Sequence, residues 1–333
     1  MRSVLALAVM ALAAIAPVTA STERMAQITK RASGPTDVEI LNYVFNEGRH
    51  ADARRASRDK DIFITLEFVQ FPQEALTLEH LEKNFYFQGL DKFRPDDFKK
   101  AGFGPEVFKN IQKIAIQEKD HVEFLAGALG SAGVSQCKYD FKVAFTNVYT
   151  FVSTARILES VGTAAYLGAA PDISSKAYLA AAGSILTIEA RHTAILNTFS
   201  GDSGFPVAFE TSLDYAQVYS LAAGFIKPNT CGKNGALPSS IQRFPSLSIE
   251  NTPRAGHTTE VQFNYRGDKE TGFYAAFLNG GATIIKPVKH GKDGKDRVDI
   301  PKGLEGITYI VITTSSKTLS DSNTVAGPAI AIL

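Results

Sequence analysis

Two Glu-x-x-His pairs stand in the chain, Glu118–Lys119–Asp120–His121 and Glu189–Ala190–Arg191–His192. At i, i+3 spacing both side chains of a pair share one face of a helix. Two further glutamates, Glu79 and Glu159, fall on or beside the apolar seam of other helical stretches. Glutamate offers hard anionic oxygen that can bridge two cations, and histidine offers a neutral nitrogen ligand. One Glu from each of two helices plus Glu-x-x-His from each of two others is the donor set of two-metal carboxylate sites built in a bundle core. This mix suits iron or manganese, with zinc able to compete. Four carboxylates balance two divalent ions, whereas burying them without partners costs on the order of several kcal/mol each. The candidate ligands are Glu79, Glu118, His121, Glu159, Glu189 and His192.

Alternatives stand beside this reading. Glu82, one turn after Glu79, is a second candidate on the same helix; Glu79 is preferred because it precedes Tyr86 by the spacing at which Glu159 precedes Tyr166. Glu118, His121, Glu189 and His192 also fit a metal-free buried ion network completed by Arg156 or Arg191. Tyr86 and Tyr166 read more readily as core tyrosines than as groups that tune a site. A third copy of the motif, Glu47–Gly48–Arg49–His50, lies in a polar stretch without a helical seam and reads as coincidence.

Four long helices must position these groups. The rhythm predicts helices over 74–90, 105–129, 142–167 and 174–199, with a shorter one over 215–225. In the first, Leu78, Leu81 and Phe85 form one stripe, with Glu79, Glu82 and Tyr86 on an adjoining one; Gly89 and Pro95 mark its end. In the second, Ile111, Ala115, Glu118, Val122 and Leu125 recur at alternating steps of three and four. Pro105 suits its first position and Gly130 its C-cap. In the third, Val148, Val152, Ala155, Glu159, Gly162 and Tyr166 keep that rhythm; in the fourth, Ala181, Ile185, Ile188, His192 and Ile195 do so, with Glu189 beside them. Each Glu-then-Tyr helix is followed by one with Glu-x-x-His, so two helical hairpins facing each other would form a roughly two-fold site.

After Pro245 the texture changes to alternation. Residues 261–265, 273–278, 282–288, 307–314 and 329–333 are β-prone, and Gly280–Gly281, Asp293–Gly294 and Pro301–Lys302–Gly303 punctuate them. The region reads as an antiparallel β-sandwich of about seven strands.

The N-terminus has the form of a secretory signal: Arg2, an apolar run from Val4 to Ala16, then Pro17–Val18–Thr19–Ala20. No later stretch is long and apolar enough to span a bilayer. Secretion implies an oxidising compartment, so Cys137 and Cys231 are expected to pair, the alternative being two separate thiols. A net charge of +1 gives no basic balance that would argue for nucleic acid. Residues 21–37 read as a lead-in. From Val44 to Glu74 a charged and then apolar segment interrupts what would be one helix, because its removal puts Leu41, Ala75, Glu79, Glu82 and Tyr86 into a single rhythm. It reads either as a retained in-frame intron or as a genuine long loop, a rare feature in a compact domain.

Three segments carry a family likeness: Ala75–Glu82, Leu158–Gly162 continuing through Ala165–Gly168, and Ile188–His192. Together they resemble the secreted ferritin-like domain of fungal stress-response proteins, to which plant desiccation-related proteins are similar. The likeness covers residues 36–240. It implies a mainly α fold, a ferritin-like four-helix bundle, an extracellular or cell-surface location and the same six ligands, but no particular reaction; the 44–74 insert departs from it. The expected organisation is a signal peptide at 1–20, a ferritin-like bundle at 36–240 and a C-terminal antiparallel β-sandwich at 245–333. The expected function is a secreted protein holding two iron or manganese ions, doing redox chemistry with oxygen or peroxide in stress response. The alternative is a non-enzymatic stress or cell-wall protein whose β-domain binds polysaccharide or another protein. Metal storage is a third reading, and nothing in the sequence points to a cage.

Overall fold

A computed structural model describes residues 67–232, 241–265 and 272–333. The expected signal peptide at 1–20, the lead-in at 21–37, the start of the expected bundle, the Glu47–His50 motif and residues 44–66 of the insert lie outside the described residues.

The first helix, α1, runs Glu67–Lys92. It begins earlier than the expected residue 74, so the last part of the insert is helical and continuous with the stretch bearing Glu79. Gly89 does not end it. A Cβ there would lie 2.2 Å from Phe151 Cε2, so the glycine lets an aromatic ring pack directly on the helix backbone. A short helix, α2 (Pro95–Lys100), follows. Its proline, expected only as a stop, occupies the first helical turn, where a missing N–H costs nothing.

Helix α3 spans Pro105–Leu129 and is capped by Gly130 at φ 53°. Helix α4 is Val148–Ala169 and starts later than the apolar rhythm suggested. Phe141, Ala144 and Phe145 are buried from a non-helical segment. Asn147 then sets the start: its Oδ1 accepts the Thr150 N–H at 2.9 Å. Helix α5 is Lys176–Phe199, with Ser175 as its N-cap. Helix α6 is Tyr215–Ala222, capped by Asp214, and stops short of Phe225. Helix α1 packs on α3, α4 packs on α5, and α1 against α4 joins the two hairpins.

Among the described residues, eight strands form two antiparallel sheets. One has the order β1-β2-β6-β5, from Leu247–Ile249, Thr258–Phe263, Asp296–Asp299 and Lys289–His290. The other has the order β4-β3-β7-β8, from Ala282–Pro287, Tyr274–Asn279, Ile307–Thr313 and Thr324–Ile332. Three strands, β1, β5 and β6, are too short to show as apolar runs, and β8 begins before residue 329.

The central strands of the second sheet, β3 and β7, are buried on both faces. Strand side chains alternate, so Ala275, Phe277, Ile310 and Ile312 face the other sheet. Ala276, Leu278, Tyr309 and Val311 pack into the same core as Phe85, Phe151 and Leu158 of the helices. Tyr309 donates its hydroxyl to the Ser160 carbonyl of α4 at 3.0 Å. Helices and sheets thus share one compact unit. Cys137 and Cys231 are joined in a disulfide with a sequence separation of 94. Loop-closure entropy for that span favours the folded state by about 4–5 kcal/mol in the chain-entropy account. Among the described residues, no helix is long and apolar enough to cross a membrane.

Candidate metal centre

The bundle brings all six sequence-predicted side chains to one buried place: Glu79 from α1, Glu118 and His121 from α3, Glu159 from α4, Glu189 and His192 from α5. They form two overlapping groups. Glu79, Glu118, His121 and Glu189 make one, and Glu118, Glu159, Glu189 and His192 make the other. Within each group the ligand atoms lie within 4.8 Å of one another. Glu118 and Glu189 belong to both, which is the placement a bridging carboxylate needs.

Both imidazoles turn Nδ1 inward. His121 Nδ1 is 3.1 Å from Glu79 Oε2, 3.1 Å from Glu118 Oε2 and 3.3 Å from Glu189 Oε1. His192 Nδ1 is 2.9 Å from Glu159 Oε2 and 3.0 Å from Glu118 Oε1. One ring nitrogen cannot satisfy so many oxygens. Glu118 Oε1 sits close to His192 without hydrogen-bond geometry, and both oxygens of Glu189 have no hydrogen-bond partner although fully buried. Buried carboxylate oxygens left this way are costly unless a cation meets them.

The outer oxygens are held by tyrosine. Tyr86 donates to Glu159 Oε1 at 2.5 Å, and Tyr166 donates to Glu79 Oε1 at 2.6 Å. Each tyrosine therefore reaches the glutamate of the opposite hairpin. The reading of both as core residues is incomplete: they are buried and they also orient the cluster. On the other side, His192 Nε2 donates to Gln117 Oε1 at 2.9 Å, which holds the ring with Nδ1 turned towards the carboxylates. Gln117 was not singled out from sequence. Its place in the sequence, directly before Glu118 and off the seam that carries it, gave no signal.

Glu82 joins the cluster as well as Glu79. It is buried, and a Cβ at Gly162 would lie 2.6 Å from Glu189 Oε2 and 3.1 Å from Glu82 Oε1. Gly162 thus makes room on α4 for two carboxylates. Neither arginine of the metal-free alternative completes the network: Arg156 Nη1 pairs with Asp202 at 2.6 Å, and Arg191 is exposed. The charges follow from this crowding. Burial, reinforced by Glu189, Glu159 and other carboxylates, raises Glu82 well above the usual range. Burial also raises Glu79 to about 7, against the lowering effect of His121. Glu189 is pushed up by burial and by Glu118. Burial acts to raise Glu118 too, but His121 and His192 outweigh it and hold it low. Burial disfavours charged His192, yet Glu159 and Glu118 raise it to about 11. The site crowds carboxylates together; without a cation, protons on Glu79, Glu82 and Glu189 and charged histidines offset them, and the donor atoms lie close enough together to hold a metal ion.

Residues 68–202 match the ferritin-like domain family. The chain is also similar to Protein rds1 of Schizosaccharomyces pombe, with 30% identity over 200 residues, 59% of this chain. The matched stretch spans about half of that protein, 48% of its length. The helical hairpins, the buried Glu and His cluster and the matched segment coincide: residues 68–202 are a ferritin-like domain, followed in this chain by a two-sheet antiparallel β region.

Proposed function

We propose that the bundle holds two iron or manganese ions and does redox chemistry with oxygen or peroxide. Glu79, His121 and the shared Glu118 and Glu189 would hold one ion; Glu159, His192 and the same shared pair would hold the other. The observation that carries this reading is the pair of four-ligand groups meeting at Glu118 and Glu189, with three buried carboxylate oxygens left without a hydrogen-bond donor. Such ions, when bound, supply one-electron steps and an attachment point for oxygen ligands. The protein's own part is to keep both imidazole Nδ1 atoms inward, to clamp Glu79 and Glu159 through tyrosine, and to exclude water by burial. Iron or manganese follows from the excess of oxygen over nitrogen donors. Secretion or cell-surface residence, and a part in stress response, belong to the same proposal and rest on the N-terminal pattern and the family likeness.

The test is metal content, by elemental mass spectrometry on protein purified without chelators. Two ions per chain are expected in the wild type and none in a Glu118→Ala, Glu159→Ala variant that keeps its helical spectrum. Equal metal content in the two would defeat the proposal.

A second reading is favoured by one feature of the β region. Tyr265, 38% exposed, stands edge-on to Phe273 with ring centroids 4.6 Å apart, beside a cleft also lined by Glu250, Glu260 and Lys295. An aromatic face flanked by polar groups suits a sugar ring of a cell-wall polysaccharide. Retention of the full chain on insoluble wall glucan, lost in Tyr265→Ala, is the expected result; no retention counts against it.

A further inference from the structure

A cavity of about 230 Å³ lies between α1, α4, α6 and β8. Its wall is aliphatic and phenylalanine except for one residue, Glu82. On one side the wall is made of buried residues, Leu78, Leu81, Glu82, Leu158, Val161 and Ala222. The outer end is formed by half-buried residues, Ile157 and Leu221 of the helices, Phe225 beyond α6 and Ile330 of β8. The space therefore runs from a partly accessible mouth to the glutamate that shares the gap beside Gly162 with Glu189.

An apolar cavity of about 150 Å³ stays dry and takes up benzene or xenon. This one is larger, and apart from Glu82 its wall offers hydrated or charged species no partner for lost water contacts. The void is also one that packing would fill at little chemical expense, because Val161 and Ala222 are small where longer side chains fit. We infer that the cavity admits and binds a small, uncharged, apolar molecule, from dioxygen up to the size of a benzene ring, and delivers it to the centre past Glu82. This rests on the two-metal reading and sharpens it: an apolar reactant is selected over peroxide, whose hydrogen-bonding groups would find a single polar side chain, Glu82, on the whole wall. It also gives the β region a place in the site, since Ile330 closes the outer wall.

The test uses the full chain with xenon and benzene as probes. Xenon-pressurised crystals of the metal-free protein are expected to show xenon in this cavity, and Leu221→Trp and Ile330→Trp, both at the half-buried end, each to exclude it. Cobalt(II)-loaded protein is expected to shift its visible absorption when saturated with benzene, and the Leu221→Trp protein to bind cobalt equally but show no shift. An empty cavity, or unchanged xenon uptake in both variants, overturns the inference. Xenon and cobalt both bound without a benzene-dependent shift overturns the inference alone and leaves the two-metal reading standing. Failure to bind cobalt overturns both.

Discussion

The two halves of the candidate centre are alike in their donors and unlike in what surrounds them. In one half Glu79, His121 and Tyr166 meet; in the other Glu159, His192 and Tyr86 do. Three residues after Glu79 stands Glu82, but three residues after Glu159 stands Gly162. The residue before Glu118 is Gln117, which holds His192; the residue before Glu189 is Ile188, which offers His121 no such bond. The repeat of two hairpins therefore supplies the ligand set, and departures from the repeat make two unequal positions. Glu82 reaches into the space that Gly162 leaves, and it also lines the apolar cavity.

Four perturbations separate shared from one-sided roles. The largest effect is expected from Glu189→Ala, which strips a shared carboxylate. Both ions should be lost, whereas Glu79→Ala should lose chiefly one, as read by metal-to-protein ratio after dialysis. Loss of a single ion from Glu189→Ala would mean that the halves do not share Glu189. Next is Gly162→Ala. The added methyl would press on the Glu189 carboxylate, so metal affinity should fall by about 10–100-fold, the scale on which misplaced ligand supports act. Competition with a fluorescent chelator measures it, and wild-type affinity would show that the helix simply moves aside.

A smaller and one-sided loss is expected from Gln117→Leu. It frees His192 Nε2 without touching His121, so in calorimetry one binding step should weaken about tenfold while the other keeps its affinity. Two unchanged steps would remove Gln117 from the account. The mildest effect is on pH dependence. Without metal, Glu79 is raised from 4.5 to about 7 mainly by burial, so the folded state holds more protons than the unfolded one across that window and stability falls as pH rises through it. Burial lowers His192, but Glu159 and Glu118 raise it from 6.5 to about 11, so its contribution is full below 6.5 and is lost as pH rises through 11. Glu118, held low by the histidines despite burial, contributes above 4.5 and loses that as pH falls. Metal-free protein should therefore be most stable between about 4.5 and 6.5 and weaken by a few kcal/mol towards pH 9. With metal the slope should reverse, because protons compete for the ligands. Urea midpoints at pH 5.5 and 9, with and without manganese, check both signs.

What was legible in the sequence follows from how directly spacing fixes geometry. Glu118 with His121 and Glu189 with His192 had to share a face once the helices formed, and the apolar rhythm was enough to find those helices. The helix joins were less legible. Phe145 continued the rhythm of α4 from a segment that is buried without being helical, and only the Asn147 cap marks the true start. Gly89 looked like a terminator because its reason for being glycine, the ring of Phe151, comes from another helix. Glu82 and Glu79 looked like alternatives because spacing along one helix cannot reveal that Gly162, across the bundle, leaves room for both. The short strands β1, β5 and β6 carry too few apolar residues to be seen; what defines them is pairing with β2 and with each other.

The central claim is that Glu118 and Glu189 stand between two ions. Anomalous diffraction at the manganese edge, from crystals of manganese-loaded full-length protein, tests it most directly. The account predicts two peaks about 3.5–4 Å apart, the separation usual for paired metals, both in contact with Glu118 and Glu189. A single peak, or peaks that leave either of these glutamates untouched, would contradict it.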